Sequence, residues 1–244
     1  CDILLGEVAP NGLVITEEMT DGAQVYVDDV LEVVGRFDGG REFLLVEHRV
    51  HSPQIHPDNW GTLDSSLVIW ADGHLFVWDY KHGHRINSPV ENLQLINYTA
   101  GIIHEFQING HDDQRITAHL RIVQPFAYQQ SGPVQEWTVR LSDLRGHFNK
   151  LKSKAHEAYT NPKMSAGLWC RDCPANDRCA VAKEYLYAFL EYTNRPYEID
   201  TLDEAALATE RGLLKAGQAV LKDRLEAIED DLVQNGSEAC RGRG

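Results

Sequence analysis

Two apolar segments separated by a tight turn constrain the fold of this chain more than any other feature. The segments run over residues 66–70 and 75–80, and the turn between them, residues 71–74, reads Ala-Asp-Gly-His. A central Asp-Gly between two strand-forming runs is a strong hairpin signal, because glycine adopts the positive φ that short turns need. The sequence therefore predicts an antiparallel β-hairpin whose second strand ends at Tyr80.

The segments around this hairpin alternate between helical and strand-like patterns. Apolar spacing predicts a first helix whose buried positions are Val25, Val27, Val30, Leu31 and Val34. This order predicts an α/β fold, with a central mixed sheet flanked by helices over residues 1–160. Residues 161–244 are expected to form a helical region with cysteines that packs on this core. The predicted helices are 16–34, 89–106 with Pro89 in its first turn, 141–159, 181–192 and 202–233, and the further strands are 42–50 and 116–126.

Charge and hydropathy narrow the function classes. The net charge of −14 argues against a protein that coats nucleic acid, since phosphate binding depends on Lys and Arg. An enzyme that acts on nucleic acid through a local basic groove remains compatible with this charge. No apolar run approaches the roughly 18 residues that span a bilayer, and the N-terminus lacks a signal-peptide pattern. We therefore expect a cytoplasmic protein without a membrane partner.

Two acidic residues and a lysine lie on the predicted hairpin. Asp79 and Lys81 are two residues apart, so they share one face of the second strand, and Asp64 is expected to open the first strand beside them. Two carboxylates form a site for a hard cation such as Mg²⁺, and a neighbouring lysine can orient water or stabilise charge. The alternative interpretation is a surface hairpin with an ordinary Asp–Lys pair.

Three motifs in succession resemble the RecB-like branch of the PD-(D/E)XK nuclease superfamily. They are Gly61-Thr62-Leu63-Asp64, then Asp79-Tyr80-Lys81-His82-Gly83, then Gln94 followed four residues later by Tyr98. The resemblance implies a restriction-endonuclease-like core that binds Mg²⁺ or Mn²⁺. It further implies a DNA exonuclease acting on DNA ends in phage or bacterial recombination, in the host cytoplasm, with an annealing protein or a helicase as partner.

The resemblance also implies a role for each motif residue. Asp64 and Asp79 would bind the metal, with the carbonyl of Tyr80 as a third ligand. Lys81 would be the catalytic lysine. Gln94 and Tyr98 would contact the DNA strand or brace the active site.

Three cysteines lie close together in the C-terminal third of the chain. Cys170, Cys173 and Cys179 follow a C-x2-C-x5-C pattern, and an odd total of five cysteines fits a secreted disulfide framework poorly. The spacing suits a [4Fe–4S] cluster, a Zn²⁺ site completed by His156 or another ligand, or ordinary reduced thiols. Iron–sulfur members of the resembled branch take their fourth ligand from the N-terminal side, which implies Cys1 or a residue upstream of it.

The chain departs from this family pattern at its beginning. Members carry a His or Glu on an N-terminal helix that completes the metal site, and residues 1–34 match that motif poorly. The chain begins at Cys1 without an initiator Met, so we expect that it was processed or starts partway into a longer protein. Glu47 is either a substitute ligand or a plain edge-strand glutamate. Besides the nuclease, two other functions stay open. One is a catalytically inactive nuclease fold that acts as a nucleic-acid-binding scaffold, and the other is a small zinc-dependent interaction protein.

Overall fold

The computed structural model describes residues 5–37, 43–110, 113–167, 169–170 and 173–193, with isolated positions between 203 and 232. The chain divides into two compact units, Cys1–Asn161 and Pro162–Gly244. The first unit is a five-stranded mixed sheet packed against helices, which confirms the predicted α/β class. Its elements are α1 (Glu17–Gly35), β1 (Leu44–His51), β2 (Trp60–Ile69), β3 (His74–Tyr80), α2 (Leu93–Glu105), β4 (Thr117–Val123), β5 (Val134–Arg140) and α3 (Leu141–Thr160).

The five strands lie in the order of the sequence, and β3 with β4 is the parallel pair. The other three pairs are antiparallel, and the pairing of Ile69 with His74 closes the predicted hairpin between β2 and β3. Parallel neighbours need a long crossover, and α2 lies in the connection between β3 and β4. This crossover brings the start of α2 to the end of β3, where the Asp–x–Lys motif lies.

The sheet buries both of its faces, and the side chains of β3 show the division. Leu75 and Val77 belong to one core cluster with α2 and α3, whereas Phe76 and Trp78 belong to a second cluster with α1. Successive side chains of a strand point to opposite faces, so a strand buried on both faces reads as a continuous apolar run. The chemistry at the end of β3 therefore rests on a strand that is packed on both sides.

Helix α1 confirms the predicted helix but not all of its buried positions. The Thr16 hydroxyl caps the helix by accepting a hydrogen bond from the Met19 amide at 3.3 Å. Val30 and Val34 are buried as predicted, but Val27 and Leu31 are 41% and 49% exposed. The predicted apolar stripe was too wide, because the sheet covers only one side of the helix. Val33, which is fully buried, lies on the covered side.

Three element boundaries differ from the prediction. Helix α2 begins at Leu93 rather than at Pro89, because the Asn92 side chain caps it by accepting from the amides of Gln94 and Leu95. Strand β2 begins at Trp60, so Asp64 lies inside it rather than opening it. Strand β4 ends at Val123 instead of continuing to residue 126. Strand β5 was not predicted at all.

The second unit contains a 3₁₀ turn, Asn176–Arg178, and helix α4, Ala180–Thr193, which confirms the predicted helix over 181–192. The predicted helix over 202–233 lies largely outside the described residues, although the positions that are described from Leu207 to Leu232 are helical. In the described parts of both units, no helix has the length and apolar character needed to cross a membrane.

Candidate active site

The two predicted metal-binding carboxylates lie on neighbouring strands. The ladder between β2 and β3 ends with the pair Ser65 and Trp78, and Asp64 and Asp79 are the next residue on each strand. The Asp64 side chain reaches the end of β3, where its Oδ2 accepts a hydrogen bond of 2.6 Å from the Tyr80 amide. The hairpin therefore brings both carboxylates to the same end of the sheet.

Asp79 is buried, with only 2% of its surface exposed. Its Oδ1 accepts hydrogen bonds from Lys81 Nζ at 3.1 Å and from Gln94 Nε2 at 2.9 Å. The Lys81 Nζ also lies 2.8 Å from Asp79 Oδ2, yet this buried oxygen accepts no hydrogen bond from the described residues. Oδ2 is therefore ion-paired with Lys81 but still has lone pairs for a further ligand, because each carboxylate oxygen can accept more than one contact.

Burial is also the main influence on the charge of Asp79. Removal from water raises the pKa of the Asp79 carboxyl above its ordinary value, because a low-dielectric environment disfavours the charged form. The hydrogen bond and the charge of Lys81 lower this pKa, whereas the negative charge of Asp64 raises it further. Burial and Asp64 thus disfavour the ionised form of Asp79, and the positive charge of Lys81 favours it.

Helix α2 supplies two side chains that extend this cluster. Gln94 Oε1 accepts a hydrogen bond from Lys81 Nζ at 3.0 Å, and its Nε2 donates to the Tyr98 hydroxyl at 2.9 Å. The Tyr98 ring lies against Gly61 of β2, where an added Cβ would be 2.7 Å from Tyr98 Cε1. The structure therefore joins Asp79, Lys81, Gln94 and Tyr98 in one hydrogen-bonded chain.

The backbone of Lys81 is fixed by the neighbouring strand. Its amide donates to the carbonyl of Val123 at 2.9 Å, which continues the hydrogen bonds between β3 and β4 by one residue. The lysine side chain is 31% exposed, and its ammonium group contacts Asp79 and Gln94. The main chain of Lys81 is therefore fixed while part of its side chain stays exposed.

Glu47 is the carboxylate closest in register to Asp64 on the other side. The pairs Val46–Ser65 and His48–Leu63 flank it, which places Glu47 opposite Asp64 on the edge strand β1. It is exposed and adopts a φ of 48°, a left-handed conformation that costs a non-glycine residue about 1–3 kcal/mol. Its assistance to the site stays a prediction, and so does the alternative of a plain edge-strand glutamate.

Helix α1 contacts the site through two residues that the sequence did not reveal. The Tyr26 hydroxyl donates to Ser65 Oγ at 2.7 Å, and burial raises its pKa, with the charges of Asp64, Glu47 and Asp79 adding to the effect. Gly22 lies where an added Cβ would be 2.6 Å from the Tyr80 hydroxyl. Neither residue carries a local sequence signal, because both contacts depend on how the helix packs on the sheet.

The histidines that are near the motifs in sequence are divided among separate places. His48 pairs with Glu105, and His56 stacks on Tyr159 with ring centroids 4.2 Å apart. His82 lies beside the site, with its Nδ1 2.9 Å from the Tyr80 hydroxyl. Among the described residues, no group of three or more His, Cys, Asp and Glu side chains is arranged to hold a metal ion.

The cysteine motif is only partly described. Cys170 is buried and its Sγ accepts a hydrogen bond from the Gly167 amide at 3.4 Å, whereas Cys173 is exposed and Cys179 is half-buried. The structure does not gather these three described thiols into a metal-binding group. Cys1, the implied fourth ligand, lies outside the described residues. The [4Fe–4S] and Zn²⁺ alternatives therefore stay predictions of the sequence.

Comparison with known proteins assigns a family but no activity. No curated protein matches the chain. One family model, described as a protein of unknown function (DUF2800), matches residues 7–244 and so includes both the sheet and the cysteine motif. Because this match extends over nearly the whole sequence, the chain belongs to the DUF2800 family.

Proposed function

We propose that this protein is a metal-dependent nuclease of the PD-(D/E)XK type that hydrolyses phosphodiester bonds in DNA. The observation that carries the proposal is the group of Asp79, Lys81 and Gln94 beside Asp64. A buried carboxylate shares its Oδ1 between a lysine and a glutamine, and its Oδ2 accepts no hydrogen bond among the described residues. Two neighbouring carboxylates that still have lone pairs to offer suit a hard cation, which prefers oxygen ligands.

The carboxylate ligands fit Mg²⁺ or Mn²⁺, and different residues of the chain would bind the ion and act on the substrate. Asp64 and Asp79 would hold the ion, with the Tyr80 carbonyl as the third protein ligand that the resemblance implies. Two carboxylates are typical of a Mg²⁺ site, which takes the rest of its ligands from water and substrate oxygens. When bound, such an ion polarises a phosphodiester and lowers the pKa of a coordinated water.

Lys81 would act at the reacting phosphate. Its ammonium group reaches both Asp79 and Gln94 and is partly exposed, so it can turn from these partners toward a substrate oxygen or an attacking water. A fixed positive group at that place stabilises the negative charge that grows on the phosphate in the transition state. Gln94 and Tyr98 would keep Lys81 and Asp79 at their mutual distance.

The natural substrate follows from the same resemblance. We propose that the enzyme acts on DNA ends as an exonuclease in phage or bacterial recombination, and that an annealing protein or a helicase is its partner. The restriction-endonuclease-like core is the finer fold proposal, and it is supported by an active-site hairpin, a crossover helix and a parallel partner strand in that order.

Cleavage of end-labelled linear DNA tests the proposal. The unmodified protein is expected to release label in the presence of Mn²⁺, and EDTA should prevent this release. Lys81→Ala should lower the rate of cleavage by about 10²–10⁴-fold, the usual contribution of a positioned catalytic group. Lys154→Ala is the matched control, because Lys154 is an exposed lysine paired with Glu157 on α3. Parent-like cleavage by folded Lys81→Ala would refute the catalytic assignment. If the unmodified protein binds DNA but does not cleave it, the result would instead support the alternative of a nucleic-acid-binding scaffold with an inactive nuclease fold.

A further inference from the structure

Tyr128 stands out among the exposed side chains. Its surface is 96% exposed, more than that of any other large apolar side chain in the described residues. Its neighbours differ, since Ala127 is buried and Gln129 is half-buried. The ring of Tyr128 makes almost no packing contact with the fold, so both of its faces are open to a partner, and an exposed aromatic ring is a surface on which a nucleic-acid base can stack.

The loop that carries Tyr128, residues 124–133, is tied to the segment that follows Lys81. Gln124 is fully buried, and its amide closes the loop by donating to the Pro133 carbonyl at 2.7 Å. Its side-chain Nε2 donates to the carbonyls of Gly83 and Arg85, and its Oε1 accepts from the Asn87 amide at 2.9 Å. One buried glutamine thus joins the β4–β5 loop to the residues after the candidate catalytic lysine.

A second set of contacts fixes the same two segments. His84 Nδ1 donates to the Phe126 carbonyl at 2.8 Å, and the His82 ring packs edge-on against the Phe126 ring. The Phe126 ring also packs against Gly22 of α1, where an added Cβ would lie 2.7 Å from it. The loop is therefore held on both sides, and Tyr128 projects from a platform that is continuous with the active site.

The two segments that form this platform differ in composition from the acidic protein as a whole. The chain has a net charge of −14, yet residues 80–90 and 122–135 contain no Asp or Glu. The first of these segments contains Lys81, His82, His84 and Arg85. Phosphate groups are repelled by an acidic surface and attracted to local Lys and Arg, so a polyanion would approach the protein here.

We propose that residues 124–133, together with residues 82–87, form a binding surface for single-stranded nucleic acid on which one base stacks on Tyr128. The inference rests on the proposed nuclease function and deepens it, because it names an unpaired strand as the form of DNA that this side of the site binds. Every base has a flat face, so stacking needs no particular sequence, but a base inside a duplex cannot offer that face. The segment containing Arg85 would follow the phosphates of the same strand.

Fluorescence anisotropy with a labelled single-stranded oligonucleotide of about 12 nucleotides tests this surface, since binding sites of this kind span roughly 4–16 nucleotides. EDTA is present, so that binding is measured without cleavage. Tyr128→Ala should weaken binding by about 5–150-fold, the range that one stacked base contributes. Tyr128→Trp should retain the affinity of the parent, because it keeps a flat aromatic face.

Two controls make the result specific. Tyr159→Ala removes another exposed tyrosine, one that stacks on His56 at a different place, and should leave binding unchanged. A blunt duplex of the same sequence should lose little affinity on Tyr128→Ala. Unchanged single-strand binding by Tyr128→Ala, or an equal loss on the duplex, would overturn the inference.

The outcome also separates this inference from the proposed function. If the parent cleaves DNA and Tyr128→Ala binds the single strand as well as the parent does, the inference fails while the nuclease stands. If the parent neither binds the oligonucleotide nor cleaves DNA, both fail, and Tyr128 belongs to a surface for a partner of another class.

Discussion

Replacement of Lys81 by methionine is expected to destabilise the fold, and to do so more at high pH than at low pH. Methionine keeps the length of the side chain but removes the ammonium group that contacts both oxygens of Asp79. A charge-assisted hydrogen bond contributes about 1.5–3 kcal/mol, whereas breaking a fully buried ion pair costs about 3–5 kcal/mol. Because the Lys81 side chain is 31% exposed, solvent screens the pair and the lower range, about 2 kcal/mol, applies.

The pH dependence follows from the raised pKa of Asp79. Burial already holds this pKa above its ordinary value, and the loss of Lys81 removes the groups that lower it. A carboxyl whose pKa is higher in the folded state binds its proton more tightly there, so stability falls as pH rises. The penalty is therefore absent below the unfolded pKa of about 4 and complete above the raised folded pKa.

Urea unfolding followed by tryptophan fluorescence measures this effect, with Trp78 fully buried in the core beneath the site. The free energy of unfolding should fall by about 2 kcal/mol at about pH 8 and by clearly less at about pH 5. In an Asp79→Asn background the same substitution should cost little, because no buried charge is left unpaired. An equal cost at both pH values, or in both backgrounds, would refute the account of Asp79 as a buried charge compensated by Lys81.

Two further substitutions probe other charged and strained positions. Glu136→Gln should destabilise the protein by about 1–3 kcal/mol at neutral pH, because hydrogen bonds from His119, Thr138 and Arg121 lower the pKa of Glu136 to about 2. This contribution is present above the unfolded pKa and is lost as pH falls toward 2, so acid titration of the parent and the variant should converge there. Glu47→Gly should raise the free energy of unfolding by up to about 1 kcal/mol by relieving the left-handed backbone, and it should weaken Mn²⁺ binding in calorimetry if Glu47 assists the site. An unchanged Mn²⁺ affinity would make Glu47 a plain edge-strand residue.

The parts of the site that could be predicted from sequence are those set by short-range geometry. Asp79 and Lys81 are two apart on one strand, and Gln94 and Tyr98 are four apart on one helix, so each pair shares a face whatever the tertiary structure. The hairpin turn likewise fixes how Asp64 approaches Asp79. The structure brings these five residues together as the motif order predicted.

The parts that could not be predicted depend on packing between distant segments. Strand β5 is an edge strand that does alternate, since Trp137 and Val139 pack against the core, but only these two positions mark it, and its place at the edge depends on pairing with β4. The approach of Tyr26 to Ser65, and the link from Gln124 to the segment after Lys81, join residues far apart in the chain. A single polar residue in the sequence gives no indication of the partner that it meets across such a distance.

The mixed topology of the sheet also determines the order in which the site can assemble. Strands β1, β2 and β3 are joined by short connections, so they can pair early, because closing a short loop loses little chain entropy. The parallel ladder, in which His74 pairs with Thr117, must wait until the connection containing α2 has closed. We therefore expect Asp64 and Asp79 to approach each other before Gln94 arrives, so that the repulsion between them would act at an early step of folding. A cation that binds this early hairpin would screen the repulsion and is expected to accelerate folding.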